Sequence, residues 1–165
     1  MKKLLFLVLV ITNITLQAQT TFSKDGLRYE VTSNGVKVRG RVGDATVINI
    51  PSIVINSGIT YRVTSIAFVA FDGNQLTSVK IPNTVTSIEK NAFRLNRLGS
   101  ITIPNSVISI GTDAFSGAFN SESSLKILRI ETGVTHIGDS AFSGSLFTNG
   151  SSSGVNEVIL KVPVV

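Results

Sequence analysis

Apolar and polar positions recur on a fixed grid over the second half of the chain. Leu76 to Phe93 reads LTSVKIPNTVTSIEKNAF, Leu98 to Phe115 reads LGSITIPNSVISIGTDAF, and Leu125 to Phe142 reads LKILRIETGVTHIGDSAF. The three align without a gap. A less regular copy precedes them, Val47 to Pro51 (VINIP) and then Val63 to Phe71 (VTSIAFVAF), and another opens at Val155 (VNEVILK). Phe71, Phe93 and Phe115 are spaced by 22, and Phe115 and Phe142 by 27. In Leu76-x-x-Val79-x-Ile81 the last two apolar positions are two apart, the period of an extended strand, so Lys80 between them points the other way. Pro82 and Pro104 follow the strand, where a missing N–H ends ladder pairing. Val85, Ile88 and the Ala92-Phe93 pair then place apolar groups at the turning points of a coil, and Val107, Ile110, Ala114, Phe115 and Val134, Ile137, Ala141, Phe142 repeat them. One such unit cannot bury its apolar set alone, but stacked units share a continuous core. The pattern predicts a β-rich solenoid over 47–165, of roughly four and a half coils, with the phenylalanines stacked as a ladder.

The two ends differ from the repeat. Leu27, Tyr29 and Val31 alternate with polar residues, Asn34-Gly35 signals a tight turn, and Val36 and Val38 resume the alternation. This predicts an N-terminal β-hairpin cap within 19–46. At the far end VNEVILKVPVV carries no closing unit, so a C-terminal cap is missing. The register there is open: Val158 and Leu160 match Leu128 and Ile130, or Leu160 and Val162 do. An apolar terminal strand of this kind invites self-association through an open edge. Residues 1–18 read as a signal peptide: Lys2 and Lys3, the apolar run Leu4 to Ile11, and a cleavage position after Ala18. A run this short cannot cross a hydrocarbon core that needs about 20 residues, so no membrane span is expected after cleavage.

Composition narrows the chemistry. Charged residues are only 15% of the chain, and the remaining polarity is carried by 20 Ser and 16 Thr. No cysteine is present, which excludes disulfides, thiolate metal sites, a cysteine nucleophile and lipidation at a cysteine. The single histidine, His136, has Asp139 and Ser140 nearby in sequence, but no nucleophile elbow or oxyanion loop accompanies them. No glycine-rich phosphate loop or clustered carboxylates for a cation occur. The reading is therefore of a non-enzyme with no cofactor and no metal. Removal of Lys2 and Lys3 with the signal lowers the formal charge from +5 to +3, too little to argue for nucleic acid.

The phrase L-x-S-V-x-I-P-N-S-V-x-S-I-G-x-x-A-F resembles the BspA-type leucine-rich repeat of secreted and surface proteins of Bacteroidetes-like bacteria. The resemblance covers about Val47 to Leu160. It implies a right-handed solenoid with a parallel sheet on one face, a secreted or cell-surface location, and roles in adhesion or protein binding. It implies no catalytic residues. One departure stands out: where the family often has a cysteine a few residues after the Ala-Phe pair, this chain has Ala118 and Ser145.

Two places emerge as candidate binding sites. The first is the outward column of the strand side, Asn49, Lys80, Thr102 and Arg129, with Ile159 next in line; neighbouring members stand about 4.8 Å apart in stacked parallel strands. The second is the loop SGSLFTNGSSSG, where Leu146 and Phe147 form an apolar pair at the corner that takes the insertions. A third cluster, Lys37, Arg39 and Arg41, shares one face of the cap. The expected partner is a protein, from a host or a neighbouring cell surface, or a glycan. The competing reading is a structural envelope component, or a truncated repeat fragment, with no specific ligand. Export is to the cell surface or medium, or ends in the periplasm.

Overall fold

Asp25 and Gly26 both take positive φ, 49° and 76°, the pair that a tight right-twisted hairpin turn requires. They join β1 (Thr21–Lys24) to β2 (Leu27–Thr32), and β2 turns at Asn34-Gly35 into β3 (Gly35–Arg41). All three are antiparallel neighbours. The expected hairpin is thus the larger part of a three-stranded meander. The computed structural model describes residues 21–119 and 127–144 and the backbone of 157–160. The signal-peptide reading of 1–18 lies outside the described residues.

The first coil carries β4 (Val47–Asn49), β5 (Ile53–Asn56) and β6 (Ile59–Ile66). Pro51 and Val63 are twelve apart where Pro82 and Val85 are three apart. The extra length is the hairpin β5–β6, turned at Ser57 and Gly58 with φ of 50° and 79°. The next coils hold β7 (Ser78–Lys80) and β8 (Ser87–Ile88), then β9 (Ser100–Ile103) and β10 (Ser109–Ile110), then β11 (Ile127–Ile130) and β12 (His136–Ile137). Last comes β13 (Glu157–Leu160), whose pairing of Leu128 with Val158 and Ile130 with Leu160 settles the open register. The result is a β-solenoid of about four turns with no helix among the described residues.

One long sheet runs the length of the molecule in the order β1-β2-β3-β6-β8-β10-β12. The meander therefore does more than cover the solenoid: β3 pairs in parallel with β6, Lys37 opposite Ser65, so the cap is built into the same sheet. Ile88 and Ile110, expected at turning points, instead sit in this second parallel ladder, Ile66–Ile88–Ile110–Ile137 in register. The short strands of the other side form β4-β7 and β9-β11-β13.

The third side of each coil is a turn that ends in Ala-Phe. Its main chain is also laddered: the N–H groups of Phe71, Phe93 and Phe115 donate to the carbonyls of Ala92, Ala114 and Ala141 at 2.8, 2.8 and 2.7 Å. Two residues before each phenylalanine, Val69, Asn91, Asp113 and Ser140 all adopt positive φ between 51° and 58°. That conformation lets the N–H groups of Val69, Asn91 and Asp113 reach the following coil, as in Asn91 to Thr112 at 3.0 Å. It also explains the choice of Asn91 and Asp113, side chains that tolerate this region. Gly111 and Gly138 occupy one column of close approach; a Cβ on Gly111 would lie 2.5 Å from the Lys90 nitrogen.

The core is the space these three sides enclose. Phe71, Phe93, Phe115 and Phe142 stack at centroid distances of 5.3, 5.1 and 5.3 Å with interplanar angles of 7°, 13° and 4°. Above and below them Leu76, Val85, Leu98, Ile103 and Val107 are fully enclosed. Each such side chain contributes about 1.5–3 kcal/mol by leaving water. The slot where the resembling family carries a thiol holds Asn96 in the second coil. It is 6% exposed and fully hydrogen-bonded: it accepts from Leu76 N–H at 2.8 Å and donates to the carbonyls of Phe71, Phe93 and Arg94 at 2.8, 2.7 and 3.1 Å. At the same offset in the third coil, Ala118 leaves the task to the main chain, and Leu98 N–H donates to Ala118 O at 2.9 Å.

Candidate protein-binding face

The short-strand side positions the predicted column. Ile48, Val79, Ile101 and Leu128 point into the core and are at most 7% exposed. Alternation then turns their neighbours outward: Asn49, Lys80 and Thr102 are exposed and Arg129 is half-buried. Asn49 stands opposite Lys80, and Thr102 opposite Arg129. The structure brings these into two pairs rather than one unbroken column, because no ladder joins β7 to β9. Between the pairs lies a groove of about 370 Å³ lined by Ser78, Lys80, Asn83, Ser100 and Thr102, floored by Val79 and Ile101. Nothing in the sequence marked this break, since SVKIP and SITIP follow the same pattern on both sides of it.

The cap's basic cluster is occupied internally. Lys37 pairs with Glu89 at 3.2 Å, Arg39 with Glu30 at 3.2 Å, and Arg41 donates to Asn74 at 2.8 Å. Glu89 also accepts from Phe68 N–H at 2.8 Å, so it clamps the cap strand and the first turn together. Arg94 meets both carboxylate oxygens of Asp72 at 3.0 and 2.8 Å, and this hydrogen-bonded charge raises the guanidinium's pKa further. Lys80 and Arg129, by contrast, are in no ion pair among the described residues.

His136 pairs in register with Ser109 and its Nδ1 shares a hydrogen bond with the Thr135 hydroxyl at 2.7 Å. Its partner is a hydroxyl and not a carboxylate. Among the described residues no three His, Asp or Glu side chains converge as metal ligands. Tyr29 is fully buried in the cap against Phe22, with ring centroids 5.2 Å apart, and its hydroxyl has no hydrogen-bond partner among the described residues. Burial first, and the nearby Asp25 charge second, push its pKa up to about 12. Leu146 and Phe147 lie outside the described residues, and Ile159 is placed only as backbone opposite Arg129.

A family profile described as the BspA-type leucine-rich repeat region matches residues 46–153 in six copies. The chain belongs to the BspA-type leucine-rich repeat family. Proteins built on this repeat generally bind other proteins, and the family and its fold are in general non-enzymatic. No curated protein matches the chain. Among solved structures, a leucine-rich cell surface protein from Faecalibacterium prausnitzii is 25% identical with a TM-score of 0.62, over 86% of this chain and 42% of that one. A leucine-rich repeat protein from Bacteroides ovatus is 27% identical with a TM-score of 0.54, over 84% and 41%. One from Bacteroides capillosus, 20% identical with a TM-score of 0.64, covers 87% of this chain and 99% of that one and shows the shared fold. The BspA-type chain thus spans about two fifths of the lengths of the F. prausnitzii and B. ovatus relatives. No helix among the described residues is long and apolar enough to cross a membrane.

Proposed function

We propose that this chain is an exported, surface-displayed BspA-type module that binds a protein across its short-strand face, in an adhesive role. The observation that carries the reading is the outward set Asn49, Lys80, Thr102 and Arg129, held on strands whose alternate residues are locked in the core. A rigid scaffold presenting polar and cationic groups at strand spacing is suited to a protein surface. The cell-surface description of the F. prausnitzii relative supports the location. The test is retention of surface proteins on the immobilised chain, wild type against Thr102→Trp. The indole would cover the centre of the face without touching the core. Loss of the retained species in the variant supports the reading; an unchanged set refutes it. Fractionation of expressing cells tests the location, and a purely cytosolic product would refute export.

A further inference from the structure

The break between β7 and β9 is confined to one side of the solenoid. On the second side β8 and β10 remain paired, and on the third the Phe93–Phe115 stack and its main-chain ladder continue. Only on the short-strand side do the facing edges of Ser78–Lys80 and Ser100–Ile103 lack pairing with each other. The groove there offers the hydroxyls of Ser78, Ser100 and Thr102, the amide of Asn83 and the ammonium of Lys80. No aromatic ring lines it, so it has no platform for a sugar ring.

From β4 to β11 the face carries charge of one sign, and the next strand, β13, brings Glu157 opposite Ile127. The strands β4, β7, β9 and β11 read VIN, SVK, SITI and ILRI and carry two cations and no carboxylate. Lys80 and Arg129 lie on either side of β9, across one unpaired gap and one ladder step, so at least ~10 Å apart. An extended peptide advances ~3.3 Å per residue, so two carboxylates three residues apart span ~10 Å, and the long Lys80 and Arg129 side chains cover the excess. We infer that the groove is a docking site for an extended acidic peptide segment, with one carboxylate on Lys80, a second on Arg129, and the intervening main chain over Ser100 and Thr102. This rests on the protein-binding reading of the same face and names the chemistry of the partner. The peptide crosses the strands, so the Ser100 and Thr102 hydroxyls supply hydrogen bonds and the two cations supply choice.

The test is a fluorescence-anisotropy titration with a labelled octapeptide of glycine and serine bearing two glutamates three positions apart, beside its glutamine counterpart. The glutamate peptide binds at least about fivefold more tightly, and K80Q and R129Q each remove about three- to fivefold of that affinity, as partly exposed ion pairs do. Added salt weakens binding in parallel. Equal binding of the two peptides, or no effect of either charge variant, overturns the inference. So does an acidic oligosaccharide that shows the Lys80 dependence when the peptide does not bind. Thr102→Trp separates the two levels. If it abolishes capture of a protein partner while K80Q and R129Q leave capture intact, the face binds protein but not through an acidic segment. If none of the three changes capture, both readings fall.

Discussion

Asn96 gives the sharpest test of how the coils are joined. Its amide ties the first coil, through Phe71 O, to the second, through Leu76 N–H, Phe93 O and Arg94 O. Asn96→Ala would leave the Leu76 N–H and at least one of these carbonyls buried without a partner. Each such group costs about 1–3 kcal/mol, so the substitution is expected to lose about 3–5 kcal/mol. That is a large part of the ~5–15 kcal/mol that holds an average domain together. Asn96→Asp keeps the acceptor for Leu76 but turns carboxylate oxygen toward three carbonyls. At pH 7 it is expected to be at least as damaging as alanine. Its folded-state pKa is raised by burial and by those carbonyls. Its stability is therefore best below the unfolded value of about 4 and declines as pH rises through the folded one. Urea unfolding of wild type, N96A and N96D at pH 4 and pH 7 reads all of this, provided the m-values agree. A loss below about 1 kcal/mol for N96A, or an N96D penalty indifferent to pH, would refute the bridging role.

Three further outcomes follow from the same structure. Phe93→Ala, which removes a ring stacked on both sides, is expected to cost about 3–5 kcal/mol, and Phe142→Ala, with one described ring neighbour, less; urea midpoints rank them. Val69→Asn relieves a β-branched residue held at φ 51° and Leu95→Gly a leucine held at φ 52°, and each is expected to gain about 1 kcal/mol in thermal unfolding; a loss for both would refute the strain. Tyr29 has a folded pKa raised to about 12. The phenol's contribution is complete below its unfolded value of about 10 and disappears as pH rises toward 12, a fall of about 2–3 kcal/mol. Tyr29→Phe flattens that alkaline decline at no cost at neutral pH, since the hydroxyl has no partner among the described residues; an unchanged decline in the variant would refute it.

Much of the architecture was legible because the repeat is written in large side chains. The spacing of Phe71, Phe93 and Phe115 foretold the ring ladder, and Asn34-Gly35 foretold the cap's turn. The second parallel ladder was not legible, because Ser87–Ile88 and Ser109–Ile110 are two residues each, too short to show a period of two. The strand β1 and the hairpin β5–β6 did leave signals, Asp25-Gly26 and Ser57-Gly58, but neither follows the repeat. At the site, alternation placed Asn49, Lys80, Thr102 and Arg129 outward correctly. It could not show the unpaired edge between Lys80 and Thr102, because ladder continuity depends on how the coils splay and not on which residues alternate. The internal use of Lys37 and Arg41 was also hidden, since Glu89 and Asn74 lie 52 and 33 residues away in sequence.

The central claim is that a protein partner sits on the short-strand face. The chain has no cysteine, so one introduced thiol carries a single photo-crosslinker. Placed at Thr102 by T102C, it is expected to trap the partner, while the same group at exposed Ile108, just before β10 of the long sheet, by I108C, traps none. Trapping from Ile108 and not from Thr102 would contradict the account.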